Sequence, residues 1–490
     1  MICTPPIRRL IRSLGVTLAG CLLPLLSFAA LPQVQFTPLH ADGIYHLGQK
    51  VGWTVTVPAG APRPRGRFAY TIKRNDLDVV RTGSFSLASG HATLALRFDA
   101  PAMLYVTVDY EPTPTALSRA QYLTLNRSLK ALLSKDDPAV QRLFARYPHY
   151  QPLAPQFPFD AYAEHRVATL GAAVAPRQLR PSLPPPRDFT AFWARQLAAL
   201  RRVPMHAKLT PMASAQAGVK LFRVRLKSLG SHVRGYLAMP AHAGRFPALI
   251  IYQWAGVYPL KRAWATNRAA EGWLVLDVDS HDIPPASGTG VAQNYPALGV
   301  RSPHTSYFLG MYLRDTRALQ YIRHNRFWNG KTLVLTGTSM GGQQSLATAG
   351  LNPGKETAVI VNEPSGADMN GLAHGRRPGY PFYATPDPTV LRTAAYFDTV
   401  NFAPRITAPT LIAMGFIDTT APPAGLWTEL DEIPAAKEAV PMIDSAHNNI
   451  TPDQQGAWLS RSEELLAQLA HGDPFVPDQA LTRPQTLRVR

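Results

Sequence analysis

The sequence has almost no cysteine: two in 490 residues, Cys3 and Cys21, both within a leader-like start. The rest of the chain therefore lacks any thiol for a disulfide, a thiolate zinc site or a cysteine nucleophile. Covalent catalysis, if present, must use another side chain. HExxH, P-loop and EF-hand patterns are missing too, and the 14 histidines are dispersed, so neither metal nor cofactor is expected. Lys and Arg outnumber Asp and Glu by 50 to 32, a formal charge of +18. The excess is scattered arginine without a Lys/Arg run or a nucleic-acid-binding motif. It reads as a basic surface suited to acidic glycans or envelope surfaces, not as a nucleic-acid site. Internal repeats are also lacking.

What is present describes a globular chain. Hydrophobic residues make up 46% and charged residues 17%, and the length favours two domains over one. The first 29 residues have the parts of an export signal. "PIRRLIRS" is the positive start, "LGVTLAGCLLPLLSFAA" the apolar core, and Ser27-Phe28-Ala29 a small-x-small cleavage pattern. The apolar run is short for a membrane span and contains Pro24, so a removed signal and a periplasmic or extracellular location are expected, with no stable membrane span. A competing reading is a lipoprotein anchored at Cys21 of "LAGC".

From residue 31 to about residue 110 the chain alternates in short runs such as "KVGWTVTV" and "MLYVTVDY", separated by turn residues. That pattern predicts a small antiparallel sandwich occupying residues 31–176, with a helical insertion near 117–147. A proline-rich linker, 177–187, follows. Residues 188–470 then alternate apolar strands ("FPALIIYQW", "WLVLDVDS", "KTLVLTG", "TAVIVNEP", "APTLIAMGFID", "AVPMID") with helical segments, leaving 471–490 as a tail. Asp188 is the N-cap candidate of the first helix. Such alternation predicts an α/β fold with a mostly parallel sheet covered on both faces.

Ligands of such sheets gather at the carboxyl ends of the strands. There the segment Gly337-Thr338-Ser339-Met340-Gly341 fits G-x-S-x-G, between a strand and a helix. A sharp turn of this kind needs small residues at Gly337 and Gly341, and sets the amide of Met340 beside the serine oxygen. Asp418, at the end of "TLIAMGFID", is the expected acid, with Glu363 and Asp444 as rivals. His447 in "DSAHNN" is the expected base. The order Ser, Asp, His along the chain is that of α/β-hydrolases. The loop "QWAGVY" is expected to supply a second oxyanion amide from Ala255. Trp254, His281 and His304, on loops beyond strand ends, are candidate substrate contacts.

These residues resemble the acetyl xylan esterase and cephalosporin C deacetylase family, the seventh carbohydrate esterase family. The matching stretches are "HVRGYLAMP", "YFLGMYLRDTRALQYI", "VLTGTSMGGQQSLATA", "YFDTVNFAPRITAPTLIAMGFIDTTAPP" and "DSAHNN". The resemblance implies an α/β-hydrolase fold, nucleophile Ser339, acid Asp418, base His447, and oxyanion amides from Met340 and Ala255. It also implies a cofactor-free serine esterase acting on acetylated carbohydrate or another small ester, and assembly into a homo-oligomer. The family has tyrosine where Ala255 stands, Arg-Gly-Gln where His281-Asp282-Ile283 stands, and a Glu after the base where Asn448 stands. The first two departures alter the pocket wall. Alternatives left open are a serine peptidase or broader carboxylesterase on the same fold, and a glycan-binding protein with a degenerate hydrolase domain.

Overall fold

The computed structural model describes residues 31–111, 166–383, 387–447 and 452–478. The expected signal, both cysteines, the helical insertion at 117–147 and most of the tail lie outside these residues.

The first half forms β1 (Gln35–Pro38), β2 (Ile44–Tyr45), β3 (Lys50–Thr56), β4 (Arg67–Arg74), β5 (Asp78–Ser86), β6 (His91–Arg97), β7 (Ala102–Glu111) and β8 (Arg166–Val174). Among the described residues they pair as two sheets, β1-β3-β6 and β2-β8-β7-β4-β5. Alternation explains why they are strands: Val51, Trp53 and Val55 of β3 point one way, into a core shared with Phe68, Ile72, Val106 and Leu170 of the other sheet. Two sheets closed over one core make a sandwich.

The following segment is tied down. Leu179 is buried, Arg177 pairs with Asp431, and the amide and hydroxyl of Ser182 both donate to Asp368, at 2.9 and 2.8 Å. Then come α1 (Phe189–Arg201), β9 (Lys208–Met212), β10 (Val219–Lys227), β11 (His232–Pro240), β12 (Phe246–Tyr252), α2 (Arg262–Ala270), β13 (Leu274–Asp279), α3 (Tyr307–Arg323), β14 (Trp328–Thr338), α4 (Met340–Leu351), β15 (Ala358–Asn362), α5 (Pro388–Ala394), β16 (Thr410–Gly415), α6 (Pro423–Glu432), β17 (Lys437–Met442) and α7 (Pro452–His471). Asp188 stands at the N-cap of α1 as expected, its carbonyl accepting the amide of Phe192 at 2.7 Å, but its side chain makes no capping bond and accepts the hydroxyl of Tyr396 instead.

The sheet order is β17-β16-β15-β14-β12-β13-β11-β10-β9. From β13 to β17 the pairings are parallel; β9, β10 and β11 join antiparallel. Every residue of β13, β15 and β16 is buried, as a strand covered on both faces requires. Residues of α2 and α7 pack on one face, and those of α3, α4 and α6 on the other. All the parallel strands therefore point their carboxyl ends to one edge.

The sandwich docks against that edge. A Cβ on Gly171 of β8 would fall 2.5 Å from the Cβ of Phe416, so only glycine allows the approach. Arg377 bridges the two halves, donating to Asp76 at 2.8 Å and to the carbonyl of Thr419, just past β16, also at 2.8 Å.

Candidate active site

Three loops at the carboxyl edge bring Ser339, Asp418 and His447 together. Ser339 lies between β14 and α4 with φ 58° and ψ −124°, a backbone region that costs a β-carbon residue strain and persists only where the surroundings enforce it. The surroundings do enforce it. A Cβ at Gly337 would meet the Gly341 carbonyl carbon at 2.4 Å, and one at Gly341 would meet the Tyr252 oxygen at 2.2 Å. The amide of Ser339 donates to the carbonyl of Asn362 at 2.9 Å, tying the turn to β15. The elbow expected from the sequence is present, and both glycines are needed for it.

Asp418 is fixed by its own loop, where one carboxylate oxygen accepts the amides of Thr420 and Ala421 at 2.7 and 2.8 Å. Its other oxygen accepts from Nδ1 of His447 at 2.7 Å. Because the carboxylate can only accept, Nδ1 carries the proton and Nε2 is left as acceptor. Nε2 then receives the hydroxyl of Ser339, 2.9 Å away. Burial alone would lower the proton affinity of His447, but the hydrogen bond and charge of Asp418 and the charge of Glu363 leave it raised. The imidazole is thus a stronger base than a free one.

Glu363, the rival acid, lies one step behind. Its Oε2 is 3.9 Å from Nδ1, against 2.7 Å for Asp418, so Asp418 holds the ring. Its Oε1 accepts from Ser445 Oγ at 3.2 Å and from Gln455 Nε2 at 3.1 Å. Burial first, and the charge of Asp418 second, push its carboxyl above the usual range, opposed by His447. The ligating atoms of Glu363, Asp418 and His447 all lie within 4.8 Å of one another, a spacing that a cation can bridge. Here His447 and Asp418 are in direct hydrogen-bond contact, and Glu363 is held by Ser445 and Gln455.

The oxyanion candidates fall where expected along the chain: Met340 opens α4 and Ala255 lies in the loop after β12. That loop is held by His281. The ring is buried, with Nε2 3.0 Å from the carbonyl of Gly256 and Nδ1 2.9 Å from the Tyr307 hydroxyl. Burial, despite the bond to Gly256, lowers its pKa to about 4, so the ring is neutral at ordinary pH. A carbonyl only accepts, so Nε2–H donates to Gly256 and Nδ1 accepts from Tyr307. With both nitrogens engaged, His281 holds the loop of Ala255 and Gly256 in place and has no nitrogen left for a substrate. His304 is exposed and sits edge-on to Phe192 of α1; its contacts are with that ring and Ser302. Trp254 is 42% exposed, its ring against Tyr258 and Trp264, and is free to meet a ligand.

The scan of protein families matches the acetyl xylan esterase (AXE1) model over residues 177–370 and 382–462. The chain belongs to the acetyl xylan esterase family. It is accordingly a carboxylic ester hydrolase. Its similarity to the acetyl esterase Axe7A of Xylanibacter ruminicola is 29% identity over 321 residues, covering 62% of this chain and 72% of the relative. Among solved structures, an acetyl xylan esterase from Paenibacillus sp. R4 superimposes with TM-score 0.52 at 21% identity, covering 61% of this chain and 98% of that one. Acetyl xylan esterase 1 from Thermoanaerobacterium sp. JW/SL YS485 gives 0.53 at 19% identity, covering 60% and 97%. At these identities the two structures speak for the fold. Both are spanned almost entirely by about three fifths of this acetyl xylan esterase family member.

Several residues around the site escaped the sequence reading. Tyr295 and Tyr307 pack on His281, and Arg377 secures the loop of Asp418 from the sandwich side. Nothing local marks them, since each acts on a partner remote in sequence.

Proposed function

We propose that this family member is an exported serine esterase that removes acetyl and other small acyl groups from carbohydrate hydroxyls. The observation that carries the mechanism is the continuous chain from Asp418 through His447 to Ser339, at 2.7 and 2.9 Å, on a strained strand-to-helix turn. His447 Nε2 takes the proton as Ser339 Oγ attacks the ester carbonyl. The amides of Met340 and Ala255 stabilise the oxyanion, helped by the amino end of α4. Collapse expels the sugar oxygen, which takes the proton from His447, leaving acetyl on Ser339. Water, deprotonated by His447, then releases acetate. The acetyl and carbohydrate preference is supported by what the similar proteins are named for, and export by the charged-then-apolar first 29 residues. Among the described residues no helix is long and apolar enough to cross a membrane.

A panel of p-nitrophenyl esters and peptide substrates tests the acyl preference. We expect kcat/KM to fall steeply from acetyl to octanoyl, with no peptide cleavage. An octanoyl optimum or peptide turnover would give the site to a broader carboxylesterase or a peptidase.

The second carboxylate sets the pH dependence. The charged groups around Glu363 are Asp418 and His447; Ser445 and Gln455 face it as neutral partners. His447 works as a base only when neutral, and the negative charge of Glu363 increases its hold on a proton. Glu363→Gln should therefore shift the acid limb of kcat/KM to lower pH and reduce that limb to a single titration. A limb that stays put, or moves up, would show that Glu363 does not act on the base.

A further inference from the structure

The flank of the sheet beside the active-site edge carries cations that packing does not explain. In the register of β9, β10 and β11, Arg225 stands directly opposite Lys208 on one side and Arg234 on the other. Directly opposed residues share a face with Cβ atoms about 5 Å apart, and like charges in that position are destabilising. Arg223 and Lys227, two positions either way along β10, point to the same face. Lys208, Arg223, Arg225 and Lys227 are all exposed. Lysine on an edge strand is a common guard against aggregation, but that explains Lys208 of β9 and not the inner strands β10 and β11.

A second element repeats the anomaly. α2 packs on β11 and β13 and ends just before β13 begins, so its first turn points to the carboxyl edge. That turn opens with exposed Lys261 and Arg262 and contains no acid. Helix dipoles disfavour cations there. Arg234 lies level with Asp279, the last residue of β13, so both groups of cations reach the same edge.

Of the nearest acids, Asp282 and Asp279 are engaged, while Asp277, two positions back on the same face of β13, is fully buried, without a hydrogen-bond partner among the described residues, and its carboxyl is pushed above the usual range by burial. Asp282 holds Arg234 at 2.7 Å and the amide of His232 at 2.9 Å, and buried Asp279 accepts the amide of His281 at 2.8 Å. Arg225 forms no ion pair among the described residues and meets the His232 ring at 2.8 Å, and Lys261 lies over the ring of Trp264. Among the described residues, Lys208, Arg223, Lys227 and Arg262 form no ion pair.

We propose that this flank binds an acidic glycan, a polysaccharide bearing carboxylates along its chain, and leads it to Ser339. The proposal rests on the carbohydrate-ester assignment above and adds the charge of the polymer. Side chains on one face recur about every 6.8 Å along a strand and about every 4.8 Å between strands, giving an open grid of single charges. Such a grid suits a chain with repeated carboxylates, which Arg binds two-pronged, better than one compact anion. Position favours a glycan over a membrane, because Asp282 and His281 join the flank directly to the loop of Ala255.

The test separates binding from catalysis. Binding is measured with Ser339→Ala protein on xylan bearing uronic acids and on the same polymer after its carboxyls are reduced to alcohols. The acidic polymer should bind about tenfold more tightly at about 0.02 M salt, and the difference should vanish near 0.5 M. Lys208→Glu/Lys227→Glu should abolish the preference, while the same double variant with Ser339 intact keeps full p-nitrophenyl acetate turnover. Arg225→Gln should weaken the preference and raise the melting temperature by about 1–2 °C at low salt, since it relieves the opposed charges. Equal binding of the two polymers, or a preference that survives the double variant, overturns the proposal. Salt-sensitive binding to phosphatidylserine vesicles through the same lysines, without polymer preference, overturns it in favour of a membrane surface. Failure of the esterase assignment would appear separately, as wild-type protein that releases no acetate.

Discussion

Ser339→Ala is expected to lower kcat for p-nitrophenyl acetate by at least about 10⁴-fold, with little change in KM or in the folded state. The size follows from the site having no substitute. His447 has one free nitrogen, and it is aimed at Ser339. Ser445 is another hydroxyl nearby, but it donates to Glu363 and accepts from Gln455. Ser365 donates to Gln343. Both cysteines lie at the extreme amino end of the sequence. Alanine also adopts the backbone at residue 339 no worse than serine, so lost activity will not be lost folding. A fluorophosphonate probe should label the wild-type enzyme on Ser339 and leave the variant unlabelled. A variant retaining full turnover would remove Ser339 from the mechanism.

Asp418→Asn is expected to cost about 10²- to 10⁴-fold in kcat. An amide at this position offers N–H groups as well as an oxygen, so the ring no longer has one enforced tautomer, and Nε2 loses its fixed role as acceptor. The lower part of the range reflects Glu363, whose Oε2 stays 3.9 Å from Nδ1 and is the nearest remaining anion. Glu363→Gln should therefore cost more in the Asp418→Asn background than alone. Additive effects would mean that Glu363 supplies no support when Asp418 is lost.

The contact of Ser339, Asp418 and His447 was legible because each follows an apolar strand, and strand ends share an edge in a parallel sheet. The strained elbow was legible for a related reason: Gly337 and Gly341 flank Ser339 at fixed spacing. The fold class followed from long apolar runs such as those of β13 and β16. Roles set by pairing across the chain were not legible. His281 looked like a substrate contact, yet Tyr307, 26 residues on, and Gly256, 25 back, occupy both its nitrogens. Arg377 reaches Asp76 across 301 positions, a contact that no local pattern signals. The opposed cations of β9, β10 and β11 were visible only as scattered basic residues, because charge alignment needs the register. Asp188 takes the N-cap position legible in the sequence, but its side chain does not cap, because its carboxylate accepts the hydroxyl of Tyr396.

The most direct test is acetate release from acetylated xylan, followed for wild-type and Ser339→Ala protein side by side. Wild-type enzyme should liberate acetate from the polymer and its oligosaccharides, and Ser339→Ala should liberate none above the uncatalysed rate. No acetate from any acetylated carbohydrate by wild-type protein that still hydrolyses p-nitrophenyl acetate, or equal release by the two proteins, would contradict the assignment.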